Sequence, residues 1–218
     1  MSDLGQRYIR QRDIIPPERL ARHKVTVIGV GAIGRQVAMQ MTAMGVPWLQ
    51  LVDFDLVGVE NLACQGYLES DLGGPKVAAT AMLCRQINSQ IQIVEVPQRF
   101  RRSMEIGSVV FCCVDSIVTR KAIWETVRDK VSLFLDTRMS AEVVRVLAAA
   151  DDTSRRHYPT TLFAAEEAQQ GACTAKSTIF TANIAAGLAI SQFTRYLRGL
   201  PVDSDLSLNL LTSELSVT

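Results

Sequence analysis

Between Val25 and Lys76 four short segments follow one another in order: VTVIGVGAIG, LVDFD, ENLACQ and GGPKV. The first of them constrains the fold most. Lys24 to Gly29 is a short apolar run ending in glycine, and Gly29, Gly31 and Gly34 space out as G-x-G-x-x-G before a helix-forming stretch, Ala32 to Met44. A strand that runs through such a turn into a helix is the opening unit of a parallel βαβ layer. The glycines allow a tight turn and close approach of a phosphate, and the helix N-terminus favours the anion. A glycine turn kept only for packing is the competing reading.

The chain beyond this unit keeps the same rhythm. Strands are expected at Trp48–Asp53, Ile91–Val96, Val109–Val114 and Val131–Asp136, with helices at Lys76–Ile87 and Ile117–Asp129. Alternating strand and helix predicts an α/β fold, a Rossmann-like doubly wound and mostly parallel sheet. After Asp136 the pattern changes. Glu142–Ala150 reads as an antiparallel strand, Asp151–Ala175 as a polar irregular loop, Ser177–Leu197 as a long helix and Asp205–Glu214 as a late strand. A loop of that length in a compact domain is expected to be functional or mobile.

Asp53 closes the second strand, where a carboxylate accepts hydrogen bonds from a ribose. That feature alone does not separate ATP from a dinucleotide. The residues just beyond it do: Asp55, Asn61, Gln65 and Lys76 supply charge and neutral hydrogen bonds suited to a triphosphate. For Lys76 a solvated first-turn lysine is the alternative. Asp115, just past the apolar strand VVFCCV, reads either as a magnesium ligand at the ligand-binding edge of the sheet or as the cap of the following helix.

Composition narrows the classes further. With 23 basic and 22 acidic residues the net charge is +1, so no global field points to nucleic acid or an anionic membrane. The N-terminus has no apolar signal core, and the apolar stretch Ile184–Ile190 is too short to span a bilayer. Five scattered cysteines without a C-x-x-C pair argue for a reducing cytoplasm and against structural zinc. Two histidines, His23 and His157, leave little room for a hydrolase built on imidazole.

The order and number of these motifs resemble the ubiquitin-activating enzyme-like superfamily of ThiF–MoeB–HesA adenylyltransferases. The resemblance runs from Arg7-Tyr8-Ile9-Arg10-Gln11 through GVGAIG, DFDLVGVENL, Gln65 and GGPK to Cys113-Val114-Asp115. It implies a single ThiF-type adenylation domain over 1–218. Its parts would be an N-terminal helical arm (1–23), a nucleotide-binding half (24–136) and a crossover loop with the C-terminal half (137–218). It also implies that ATP and Mg²⁺ are used to adenylylate the C-terminal carboxylate of a ubiquitin-like or sulfur-carrier protein ending in glycine. In those terms Asp53 binds the ribose, Asn61, Gln65 and Lys76 contact the triphosphate or its metal, and Asp115 holds magnesium. Arg10 would reach the neighbouring subunit's ATP in a homodimer, the alternative being an exposed tail residue. Cys173, in GACTAKS, is the candidate thiol for onward thioester transfer, the alternative being a small residue at a helix start. Asp136 and Arg138 would line the channel for the carrier's tail or else form a surface ion pair.

Two departures from the family pattern stand out. Cys64 replaces an arginine expected on the phosphates, leaving Arg7, Arg10 or Arg35 as stand-ins, and the paired zinc motifs are missing. Competing functions are adenylation of a small-molecule, peptide or tRNA-base carboxylate, a non-catalytic partner subunit, and an NAD-dependent oxidoreductase.

Overall fold

The computed structural model describes residues 6–163 and 177–218. Its eight strands form one sheet in the order β3-β2-β1-β4-β5-β6-β7-β8. β1 (Val25–Ile28), β2 (Trp48–Val52), β3 (Gln92–Val96), β4 (Val109–Cys112) and β5 (Leu133–Ser140) pair in parallel. β6 (Val143–Ala149), β7 (Asp205–Asn209) and β8 (Glu214–Val217) then add as antiparallel strands, as the change of pattern after Asp136 predicts.

β1 and β4 are buried at every position, which is why both read as unbroken apolar runs rather than as alternation. One face of the sheet is covered by α2 (Ala32–Met44), α4 (Lys76–Ile87) and α7 (Ile179–Arg198), with Val37, Met41, Ala182 and Phe193 in the shared core. The other face is covered by α5 (Ile117–Val127) and the 3₁₀ turn Tyr158–Thr161, around Trp124, Phe134 and Tyr158. α2 stops because Gly45 takes a left-handed conformation (φ 96°), its N–H returning to the Met41 and Thr42 carbonyls.

Four details depart from the sequence expectation. α3 (Val59–Gln65) is a helix within ENLACQ, and β5 runs four residues past Asp136 because it pairs with β6 in a hairpin. The stretch after Asp151 is not irregular throughout: Asp151 caps α6 (Asp152–His157), accepting from the Ser154 N–H at 2.8 Å. The late strand is two strands, β7 and β8, divided by a turn in which Ser213 has a positive φ of 56°. In the described part of the arm, helix α1 (Pro17–Leu20) leads into β1. Among the described residues no helix is long and apolar enough to cross a membrane.

Candidate nucleotide site

The C-terminal ends of β1, β2 and β4 converge on the glycine turn. Gly29 has a φ of 88°, and its N–H donates to the Val52 carbonyl at 2.9 Å. A Cβ there would stand 2.8 Å from the Cys113 carbonyl, and one on Gly34 would stand 1.8 Å from the Gly29 oxygen. Both glycines are therefore required by backbone contact. Gly31 differs: a Cβ on it would meet nothing nearer than the Gln65 amide at 3.8 Å. The open side of the turn is at Gly31, where the first turn of α2 leaves backbone N–H groups without helical partners.

Asp53 follows β2 and reaches back beneath this turn. Its Oδ2 accepts the Val30 N–H at 2.6 Å, and its Oδ1 accepts the Asp55 N–H at 2.8 Å. A carboxylate has about four acceptor sites, so two remain for a diol. Lys76 begins α4, and its side chain is 8% exposed. Its Nζ donates to Asp55 Oδ2 at 3.1 Å, while its backbone N–H donates to the Asp55 carbonyl at 3.0 Å. That geometry overturns the solvated-lysine alternative: the ammonium is held beside the turn, on a carboxylate that is itself half-exposed.

The two amides of α3 have different duties. The buried Asn61 turns its Oδ1 back to the Gly58 N–H at 2.9 Å and closes the start of its own helix. Gln65, at the other end, keeps Oε1 buried without a partner among the described residues. An orphaned buried acceptor costs about 1–3 kcal/mol. A half-turn of the amide would direct Nε2 to an anion over Gly31, and this orphaned group fits a phosphate there.

Asp115 is exposed beyond β4 and makes no hydrogen bond or ion pair among the described residues. The cap of α5 is the next residue, Ser116, whose hydroxyl accepts the Thr119 N–H at 3.3 Å. The capping alternative for Asp115 falls with that contact. No three His, Cys, Asp or Glu residues gather as a metal cluster among the described residues. A lone carboxylate fits magnesium, which takes one or two protein carboxylates with phosphate and water oxygens.

Arg35 is excluded as a stand-in for the arginine missing at position 64. It is 1% exposed, stacks 4.0 Å from the Tyr67 ring, donates to Thr80 Oγ1 at 3.2 Å and lies 3.9 Å from Asp71. Tyr67, which the sequence reading did not single out, donates its hydroxyl to the Val30 carbonyl at 2.6 Å and so clamps the turn from below. Burial pushes the Tyr67 phenol up to about 12, keeping it a neutral donor. Cys64 is half-buried on α3, its thiol turned to the Glu60 carbonyl at 3.1 Å.

The N-terminal arm sits at the opposite end of α2. Tyr8 covers Gly45, Gln11 donates to the Met44 carbonyl at 2.8 Å and Arg7 donates to Asn88 Oδ1 at 3.0 Å. A helix of 13 residues is about 20 Å long, so neither Arg7 nor the exposed Arg10 faces the turn of its own chain. Cys173 lies outside the described residues. The thiols of Cys84 and Cys112 are buried and pushed up by that burial, as inert core cysteines should be.

Asp136 and Arg138 form neither a channel lining nor a surface pair. Asp136 is fully buried, and its carboxylate is shared by Arg120, Arg138 (2.9 Å from Nε) and the Tyr158 hydroxyl (2.8 Å). Arg120 is not legible in the sequence, because its partners lie on β5 and in the loop after β4.

Sheet order, turn and edge carboxylates together define a Rossmann-like domain. More narrowly, the chain belongs to the ThiF family, whose model matches residues 8–215. It is 36% identical over 100 residues to the adenylyltransferase and sulfurtransferase MOCS3 of Arabidopsis thaliana, covering 44% of this chain and 22% of that protein. It is 32% identical over 121 residues to the molybdopterin-synthase adenylyltransferase of Salmonella typhimurium, covering 53% and 49%. The chain thus spans at most about half the length of these relatives. Among solved structures it superposes on E. coli MccB with a TM-score of 0.81 at 14% identity, over 100% of this chain and 70% of that one.

Proposed function

We propose that this chain is an ATP-dependent adenylyltransferase acting on the C-terminal carboxylate of a ubiquitin-like or sulfur-carrier protein. The observation that carries the proposal is Lys76, buried beside the glycine turn on Asp55, with Asp115, unpaired among the described residues, beyond β4. A dinucleotide site has no use for that pair. The names of the family relatives support the same class of reaction.

In this reading Asp53 receives the ribose hydroxyls, and the N–H groups at Gly31 and the Gln65 amide hold phosphate oxygens. A carboxylate oxygen of the carrier attacks the α-phosphorus. The new P–O bond replaces the bond to the bridging oxygen, and pyrophosphate leaves with that electron pair. The nucleophile is already an anion, so no general base is required. Lys76 offsets charge on the phosphates as the pyrophosphate departs, releasing Asp55 to solvent. Asp115 would hold the magnesium ion, which offsets phosphate charge when bound. Residues 24–136 would carry the nucleotide, residues 137–218 would receive the carrier's tail, and Cys173 would serve any later thioester step.

The test is ATP–pyrophosphate exchange with Mg²⁺, with and without carriers ending in glycine. Exchange is expected only with a carrier, and Asp115→Ala should reduce it by about 100-fold or more, as loss of a charge-stabilising group does. Exchange driven instead by a free peptide or small carboxylate would move the substrate within the family. Absence of ATP binding would sink the reading.

The arm's position favours an Arg10 that works on a partner copy rather than on its own chain. Arg10→Ala and Asp115→Ala should each be nearly inactive alone. Mixed and reassembled, they should recover up to about a quarter of normal exchange, because half the dimers are then mixed and each of these carries one intact site. No recovery on mixing would place Arg10 outside the site.

A further inference from the structure

Nothing described so far touches the base of the nucleotide, and the end of β3 offers a candidate. In the sheet the order β3-β2-β1-β4 sets the phosphate turn on β1, the ribose carboxylate at the end of β2 and the end of β3 next in line. Strands are about 4.8 Å apart, so one strand spacing beyond Asp53 is where a base attached to that ribose would extend. The Asp53 N–H donates to the Val96 carbonyl at 3.2 Å, and the Gln98 N–H turns back onto the same carbonyl at 2.8 Å. This tight turn brings Arg99 back over Phe54. The guanidinium carbon lies 3.8 Å from the centre of the Phe54 ring.

Three features of the pair suit a ligand better than a solvated surface contact. Phe54 is 48% exposed although it sits between Asp53 and Asp55, the ribose carboxylate and the partner of Lys76. Arg99 makes no hydrogen bond or ion pair among the described residues, so its five N–H donors are unspent. A guanidinium held flat on an aromatic ring presents a planar face for stacking and an edge of donors, a combination lysine does not offer.

We propose that Arg99, one face of its guanidinium on Phe54, forms the base-side wall of the nucleotide site and binds the purine by stacking on the other face. The inference rests on the ATP reading above and deepens it by naming the residue that recognises the base. The test compares the affinity of the unaltered chain, Arg99→Ala and Arg99→Lys for ATP and for ribose 5-triphosphate, which has no base. Arg99→Ala should weaken ATP about tenfold, the range for a partly desolvated cation–π contact, and leave ribose 5-triphosphate unchanged. Arg99→Lys should recover only part of the loss, and the melting temperatures of the three should agree because the side chain is exposed. ATP binding indifferent to Arg99, or equal weakening of both ligands, would overturn this inference alone. No ATP binding by the unaltered chain would overturn it together with the reading on which it rests.

Discussion

Asp136→Ala is expected to lower the stability of the fold by about 3–5 kcal/mol, the range for removing one partner of a buried ion pair. Asp136 is 0% exposed, while the side chains it neutralises, Arg120 and Arg138, are 6% and 14% exposed. Burial draws both guanidinium groups below their usual pKa, yet arginine does not give up its proton in a protein. Alanine therefore strands two cations and the Tyr158 hydroxyl, which otherwise donates to the same carboxylate at 2.8 Å. The loss is a large share of the roughly 5–15 kcal/mol by which domains are stable. At about 2–4 °C per kcal/mol for a chain of this size, the melting temperature should fall by roughly 10 °C. A drop of less than about 1 kcal/mol in urea denaturation would show that the network is not the tie described here.

The same substitution bears on the site. Arg120 donates to the Val114 and Thr137 carbonyls, joining the end of β4 to β5, and Asp115 is the residue after Val114. The buried network thus fixes the segment from which Asp115 projects. Asp136→Asn keeps an acceptor but removes the charge, so its stability should fall between those of the parent and the alanine variant. Replacing Asp136, Arg120 and Arg138 together by apolar residues of similar size should be less harmful than removing Asp136 alone.

The legible parts of this chain are those where one local rule decides the structure. The turn Gly29–Gly34, the strand ends at Asp53 and Asp115, and the helix starting at Lys76 follow from apolar runs, glycine spacing and a proline at the helix start. The hidden parts depend on contacts between distant segments. Arg35 could be read as a phosphate ligand because its position in the first turn of α2 is right. Only the fold shows Asp71, Thr80 and Tyr67 closing around it. Asp136 and Arg138 read as channel residues or a surface pair for the same reason, since Arg120 and Tyr158 are 16 and 22 positions from Asp136. Helix α3 was obscured because its polar residues read as ligands before they read as a helix. Asn61 shows how both can apply, as a residue of the motif whose carbonyl is committed to Gly58.

Gly34→Ala and Gly31→Ala should separate what the glycine turn does for the fold from what it does for the nucleotide. At Gly34 the added methyl would overlap the Gly29 oxygen at 1.8 Å and press on the Gly29 carbon at 2.9 Å and Val27 Cγ1 at 3.2 Å. Two of these three atoms are backbone, so no rotamer change relieves the clash. Either α2 must lift from β1, or the turn must open and break the Gly29 bond to Val52. Overpacking of this kind costs about 1–3 kcal/mol and more where backbone must move, so Gly34→Ala should lose stability and ATP binding together. Gly31 has an ordinary φ of −83° and space for a methyl group on its open side. Gly31→Ala should therefore lose much less stability than Gly34→Ala, since its methyl group meets no atom nearer than 3.8 Å. Its ATP affinity should nevertheless fall about tenfold or more, because the methyl stands where phosphate oxygens approach the N–H groups of the turn. Melting temperature and nucleotide affinity measured on the two variants decide the matter. If Gly31→Ala bound ATP as tightly as the parent, the phosphates would have to lie elsewhere, and the buried Lys76 and the unpartnered Gln65 Oε1 would lose the ligand that explains them.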